Sequence, residues 1–118
     1  MGVNSYRDLI LWQKAMDVVE MIYHVTKQFP KEETYGLTDQ IRRAAVSIPS
    51  NIAEGQERKS TGDFKRFLLI AQGSRAGVET QLQIALRLNY LTQEQLTPIL
   101  DLLIEISKMS NSLRSKLK

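Results

Sequence analysis

The stretch QIRRAAVSIPSNIAEG, residues 40–55, decides how this chain folds. Ile41, Ala45, Ile48 and Ile52 recur in steps of three and four, which sets them on one face of a helix. Pro49 falls inside that helix. It has no N–H for the carbonyl of Ala45 and its ring crowds that carbonyl, so a kink is expected. Ser47, Ser50, Asn51 and Glu54 trace a polar stripe along the same helix, with Arg43 before it and Arg58 after it. Short polar side chains beside an interrupted helix ladder mostly satisfy freed backbone groups and bond a neighbouring helix. The stripe therefore reads as a structural network; the sharper alternative is a binding or catalytic cleft.

Helical spacing continues on both sides. Upstream, Leu9, Trp12, Met16, Val19 and Tyr23 form one stripe, and Leu11, Ala15, Val18, Ile22, Val25 and Phe29 form a second beside it. Two stripes exceed what one core seam requires, so one of them is expected to face a neighbouring subunit. Pro30 should end this first helix. The second is predicted from an N-cap at Thr38 to about Arg58. A third starts where Ser60 and Asp63 have capping-box spacing and runs to about Leu88. Its run Leu68-Leu69-Ile70 is apolar on several sides and should be enclosed. Gly73 and Gly77 within it disfavour a helix by up to about 1 kcal/mol each, which predicts close approach of helices two and three. The fourth helix carries Ile99, Leu103, Ile106, Leu113 and Leu117. Thr92 with Gln95 makes one possible start and Thr97-Pro98 another, which a short turn before the main helix would reconcile. Four helices, short links and no strand alternation predict an all-α, antiparallel up-down-up-down four-helix bundle, with residues 1–118 as one domain.

Composition narrows the rest. The chain has no cysteine, which rules out disulfides and thiolate metal sites and suits a reducing compartment. Neither a secretory leader nor a run of about 18 charge-free apolar residues occurs, so a soluble cytoplasmic protein away from membranes is expected. The net charge is +3. Residues 1–37 hold four cations against five acids, and residues 38–118 hold twelve against eight. Lys108, Arg114, Lys116 and Lys118 end the chain without an acid among them. A local basic surface follows, not general adhesion to polyanions.

Catalytic signals are sparse. His24 is the sole histidine, four residues after Glu20 and seven after Asp17 on a polar helix face. That set has no second imidazole for a metal and reads as a solvated pair. Nucleophile elbows, phosphate-binding loops, HExxH and dinucleotide fingerprints are absent. The chain reads as a non-enzyme with no cofactor and no metal. Its positive candidate is GQERKSTGDFKRF, residues 55–67. There Arg58, Lys59, Lys65 and Arg66 flank the start of helix three, whose first amides, with Ser60 and Thr61, offer a place for a phosphate. Arg42 and Arg43 are candidates to extend the patch. Few exposed aromatics accompany these cations, so base stacking is expected to be weak.

Four blocks carry a family resemblance: DLILWQKAMDVVEMIYHVTKQFP, YGLTDQIRRAAVSIPSNIAEG, DFKRFLLIAQGS and ETQLQIALRLNYL. From Asp8 to about Leu91 the chain resembles the small four-helix-bundle proteins encoded by intervening sequences within bacterial 23S ribosomal RNA genes. That resemblance implies a left-handed antiparallel bundle assembled into a homo-oligomeric ring, a pentamer. The accessory protein of diversity-generating retroelements is similar in fold, which implies nucleic acid, RNA or DNA, and a reverse transcriptase as partners. Where the family has a glutamate in a GSxxELE pattern, this chain has Gly77, which puts a network around Arg75 and Glu79 in doubt. Two functional expectations follow: an oligomer that holds nucleic-acid phosphates, or a structural protein that docks a protein partner without nucleic acid.

Overall fold

The computed structural model describes residues 5–117. Four helices make up the protein: α1 (Ile10–Thr26), α2 (Leu37–Glu57), α3 (Thr61–Arg87) and α4 (Gln93–Lys116). Short 3-10 turns at Tyr6–Asp8 and Lys31–Glu33 precede α1 and α2. Among the described residues there is no strand. The α2–α3 pair has the most extensive contact; α1 packs on α2 and α4, and α3 on α4. The core lies along the axis where the four apolar stripes meet. Ile22, Ile41, Ile48, Ile52, Leu68, Leu82, Leu96, Ile99 and Leu103 are its largest fully buried side chains. Burying each contributes about 1.5–3 kcal/mol before chain entropy opposes it.

Local chemistry sets the helix ends. Helical bonding stops at Thr26, four residues before Pro30, because the amides of Gln28 and Phe29 turn to the carbonyls of Val25 and Thr26 three residues back. The start of α2 differs from the expected Thr38 cap. Gly36 is the N-cap, and the Glu33 carboxylate accepts from the Leu37 N–H at 3.0 Å. Thr38 instead lies buried in the first turn. At α3 the Ser60 hydroxyl accepts from the Asp63 N–H at 3.3 Å, as its spacing predicts. The other end of α3 closes with the Tyr90 N–H on the Ala85 carbonyl and the Asn89 N–H on the Leu86 carbonyl, Asn89 being left-handed at φ 63°. Thr92 and Gln95 form a reciprocal capping box. No separate turn precedes the main helix: α4 is continuous from Gln93 and carries Pro98 in its second turn.

Two packing expectations are corrected. In the run Leu68-Leu69-Ile70 only Leu68 is enclosed; Leu69 and Ile70 are 54% and 41% exposed. A β-carbon added at Gly73 or Gly77 meets no atom within 4 Å, so neither glycine mediates the α2–α3 approach. Gly55 does. Its missing Cβ leaves room for Phe67, whose Cβ would lie 2.6 Å from it. The Pro49 segment stays helical and buried.

The two polar loops meet at one pole of the bundle. Glu33 caps α2 with one carboxylate oxygen and accepts from the Tyr90 hydroxyl with the other at 2.9 Å. Gln28 bonds the Tyr90 carbonyl and exchanges hydrogen bonds with Gln95. The Phe29 and Tyr90 rings pack beside them, 5.4 Å apart.

Gly55→Ala should destabilise the protein by about 1–3 kcal/mol in urea unfolding, because the added methyl overlaps Phe67. The two hydrogen bonds hold the Glu33 carboxyl below its ordinary value of 4.5, the Leu37 amide being the larger cause. A carboxyl with a lowered folded-state pKa stabilises the fold above its unfolded value, and that contribution fades as pH falls through the folded one. Glu33→Gln should therefore flatten the loss of thermal stability below about pH 4.5.

Candidate nucleic-acid interface

At the end of α2 the chain turns through Arg58, Lys59 and Ser60 into α3. Lys59 adopts φ 61°, a left-handed conformation that glycine or asparagine adopts more readily. The turn brings cations of two helices onto one ring. The Arg58 guanidinium lies 5.0 Å from the Phe67 centroid and that of Arg66 lies 4.6 Å from it. Such stacking contributes roughly 0.5–1 kcal/mol at an exposed site and, more usefully here, fixes direction. Each guanidinium has one acid of its own helix: Glu54 at 3.2 Å from Arg58 and Asp63 at 3.6 Å from Arg66. Both pairs are exposed, so each neutralises little in water. Lys59, exposed, and Lys65, half-buried, are in no salt bridge among the described residues. Beside them is a hollow of about 140 Å³ lined by Gly55, Lys59, Ser60, Thr61, Phe64 and Leu117. The Asp63 amide is taken by the Ser60 hydroxyl and the Phe64 amide by the Ser60 carbonyl, which closes the first turn of α3.

Arg42 and Arg43 lie apart from this corner. Fifteen residues separate Arg43 from Arg58, roughly 22 Å along a helix. Arg42 donates to the Thr26 hydroxyl at 2.8 Å and the Tyr23 carbonyl at 3.3 Å, and stacks on the Tyr23 ring. It ties the end of α1 to α2. Arg43 is exposed and pairs with Asp39 at 3.0 Å. Sequence spacing alone could not separate these roles, because Arg42 and Arg43 are adjacent and differ only by 100° of helix turn.

The polar stripe divides. The hydroxyls of Ser47 and Ser74 lie 2.6 Å apart across α2 and α3, and the Asn51 amide donates to both the carbonyl and the hydroxyl of Ser47. Ser50 bonds back to the Val46 carbonyl and Glu54 faces Arg58. The freed carbonyl was expected at Ala45; Ser50 and Asn51 serve the carbonyls one and two residues further on. A second network, beyond the stripe, joins α3 to α4. Arg75 donates to Glu79 and to Gln72, and the Gln72 amide reaches the carbonyl and hydroxyl of Ser107 and the Asn111 side chain. Around Arg75 and Glu79, then, a network forms with Gly77 between them.

His24 is exposed on α1 and lines a groove with Glu20, Met21, Gln95 and Pro98. Among the described residues no three His, Cys, Asp or Glu side chains converge, and no helix is long and apolar enough to cross a membrane. Of the basic tail, Lys118 lies outside the described residues.

The family model of the 23S rRNA-intervening sequence protein matches residues 7–112. The chain belongs to that family. A crystal structure shares the fold. It is a protein of unknown function from the S23 ribosomal protein family of Bacteroides thetaiotaomicron, 27% identical, with a TM-score of 0.82. The alignment covers 89% of this chain and 98% of that one. No curated protein matches. The family match takes in all of α1, α2 and α3, and thus Arg58, Lys59, Lys65 and Arg66.

Ser74→Ala should lower stability by about 1 kcal/mol in denaturant unfolding, since it removes one half-buried hydrogen bond and leaves Ser47 its Asn51 donor. Ser50→Ala, on the exposed side of the same helix, should change stability by less than half of that.

Proposed function

We propose that this intervening-sequence protein is a non-enzymatic, antiparallel bundle that assembles into a homo-oligomeric ring, a pentamer, and holds RNA or DNA by its phosphates. The pairings Gly55 with Phe67, Ser47 with Ser74 and Arg42 with Thr26 support the up-down-up-down order. The observation that carries the nucleic-acid reading is the convergence of Arg58 and Arg66, from different helices, on one Phe67 ring. Stacked guanidiniums keep their N–H edges outward, the geometry that suits bidentate contact with phosphate oxygens. Lys59 and Lys65 add two compact charges beside them. One protomer offers few contacts, and phosphate affinity grows with the number made. Repetition of the corner around a ring multiplies those contacts without any base-specific group. The binding is therefore to backbone, insensitive to sequence and steep in salt.

A second reading is favoured by a different observation. Leu69, Ile70, Ile84 and Leu88 are large apolar side chains about half exposed on α3. A surface of that kind suits docking of a protein partner, a reverse transcriptase or another, without nucleic acid.

Binding of a short fluorescent RNA and a DNA of equal length, followed by anisotropy across a salt series, separates the two. The expected result is comparable affinity for both, with log K falling linearly in log salt by about 0.7 per contacted phosphate. Replacing Arg58, Lys59, Lys65 and Arg66 with Gln should remove most of the affinity and flatten the slope, while Arg43→Gln should change neither much. Unchanged affinity in the fourfold variant would place any nucleic-acid contact elsewhere.

A further inference from the structure

The turn from α1 into α2 forms a polar hollow of about 220 Å³, which shares no residue with the basic corner. Lys27, Lys31, Thr34, Thr38, Asp39 and Arg42 line it, and Phe29 and Pro30 add an apolar edge. A water's share of liquid volume is about 30 Å³, so the space admits a phosphate group with waters around it. One side of the hollow is built of committed groups. The Thr26 hydroxyl donates to the Ile22 carbonyl at 2.7 Å and accepts from Arg42 Nε at 2.8 Å, while Arg42 Nη2 reaches the Tyr23 carbonyl.

Another group on the lining is uncommitted. Thr38 is only 7% exposed, yet its side chain makes no hydrogen bond among the described residues. A hydroxyl buried without a partner is destabilising, and most such groups in folded proteins are satisfied. Lys27 and Lys31 are exposed and in no salt bridge among the described residues. The acids nearby are engaged elsewhere. Asp39 pairs with Arg43 at 3.0 Å, and Glu33 divides its two oxygens between the Leu37 amide and the Tyr90 hydroxyl. Glu32 is exposed and does not line the hollow. Thr38 and Asp39 also belong to the first turn of α2, where the aligned peptide dipoles favour negative charge.

We propose that this hollow binds a phosphate group, with the Thr38 hydroxyl donating to one oxygen and Lys27 and Lys31 meeting the others. A phosphate carries up to about two negative charges and accepts hydrogen bonds at several oxygens, so it answers the buried donor and both ammonium groups together. Arg42, held by Thr26 and Tyr23, serves as a fixed wall. The one ring on the lining, Phe29, is 7% exposed and leaves no face for a base to stack on, so recognition stops at the phosphate. The ligand class is free phosphate or a small phosphate monoester. A nucleic-acid strand carries a single charge on each phosphate and continues on both sides of it, which suits an open surface better than a hollow.

Amide NMR on the nitrogen-15-labelled protein tests the site residue by residue. A melting shift would not, because phosphate stabilises folded proteins in general by its exclusion from their surfaces. Inorganic phosphate, AMP and adenosine are titrated at constant ionic strength, with sodium chloride as the balance. The expected result is saturable shifts at Lys31, Thr34, Thr38 and Asp39 with phosphate and with AMP, and none with adenosine. Equal affinity for the two anions assigns the hollow to phosphate itself, and tighter AMP assigns it to a monoester; both uphold the site. Shifts that do not saturate, that fall elsewhere, or that adenosine reproduces overturn it. Thr38→Val should keep its helical circular dichroism, since the hydroxyl holds nothing in the protein, and should weaken phosphate about tenfold. Lys27→Gln with Lys31→Gln, on exposed positions, should weaken it as well. Undiminished affinity in either variant overturns the proposal. The fourfold Gln variant of Arg58, Lys59, Lys65 and Arg66 should bind phosphate as wild type does; loss of binding there would move the anion to the basic corner and overturn this seat.

Discussion

The structure turns on the absence of one side chain. Gly55 gives Phe67 the space in which α2 and α3 close together, and a methyl there would sit 2.6 Å from the Phe67 Cβ. With Phe67 seated, its ring becomes the platform for Arg58 and Arg66. The close helix contact and the placement of the two guanidiniums are thus one constraint. Further along the same seam Ser47 meets Ser74 at 2.6 Å, which fixes the rotation of α2 against α3 by a polar contact where an apolar one would allow slippage.

Arginine is used here in two ways that differ in physical kind. Arg42 is half-buried, and its donors go to Thr26 and Tyr23, so its charge is consumed in joining α1 to α2. Arg58 and Arg66 rest on an aromatic face, with only exposed carboxylates of their own helices beside them. Water screens such pairs strongly, so each carboxylate holds its guanidinium only weakly. Net charge alone does not distinguish these arginines. What distinguishes them is the number of protein acceptors each one meets.

Much of the architecture was legible in the sequence, because four helices with periodic apolar faces and short links leave few arrangements. The capping pairs Ser60–Asp63 and Thr92–Gln95 were readable, since they involve neighbours only three residues apart. The start of α2 was not, because its cap comes from Glu33, whose second oxygen answers to Tyr90 on a distant loop. The glycines misled for a related reason. Gly55, Gly73 and Gly77 look alike in sequence, and only the partner across the gap shows that the first is packed and the other two face outward. Leu69 and Ile70 likewise follow the helical period, yet they lie on the side where the protomer has no further helix to cover them. At the candidate site the residue types were evident from charge, whereas Phe67 as the shared platform was hidden, since it reads as an ordinary core aromatic.

The two poles of the bundle are fastened unequally. At one, Gln28, Glu33, Tyr90 and Gln95 interlock four segments through side-chain hydrogen bonds. At the other, the Ser60 cap and the seating of Phe67 against Gly55 hold the α2–α3 turn, and Leu117 lines a hollow beside Lys59. The first fastening is made of hydrogen bonds between segments far apart in sequence, the second of close packing between consecutive helices. The two ends of one short molecule thus answer to different variables, protonation at the first and side-chain volume at the second.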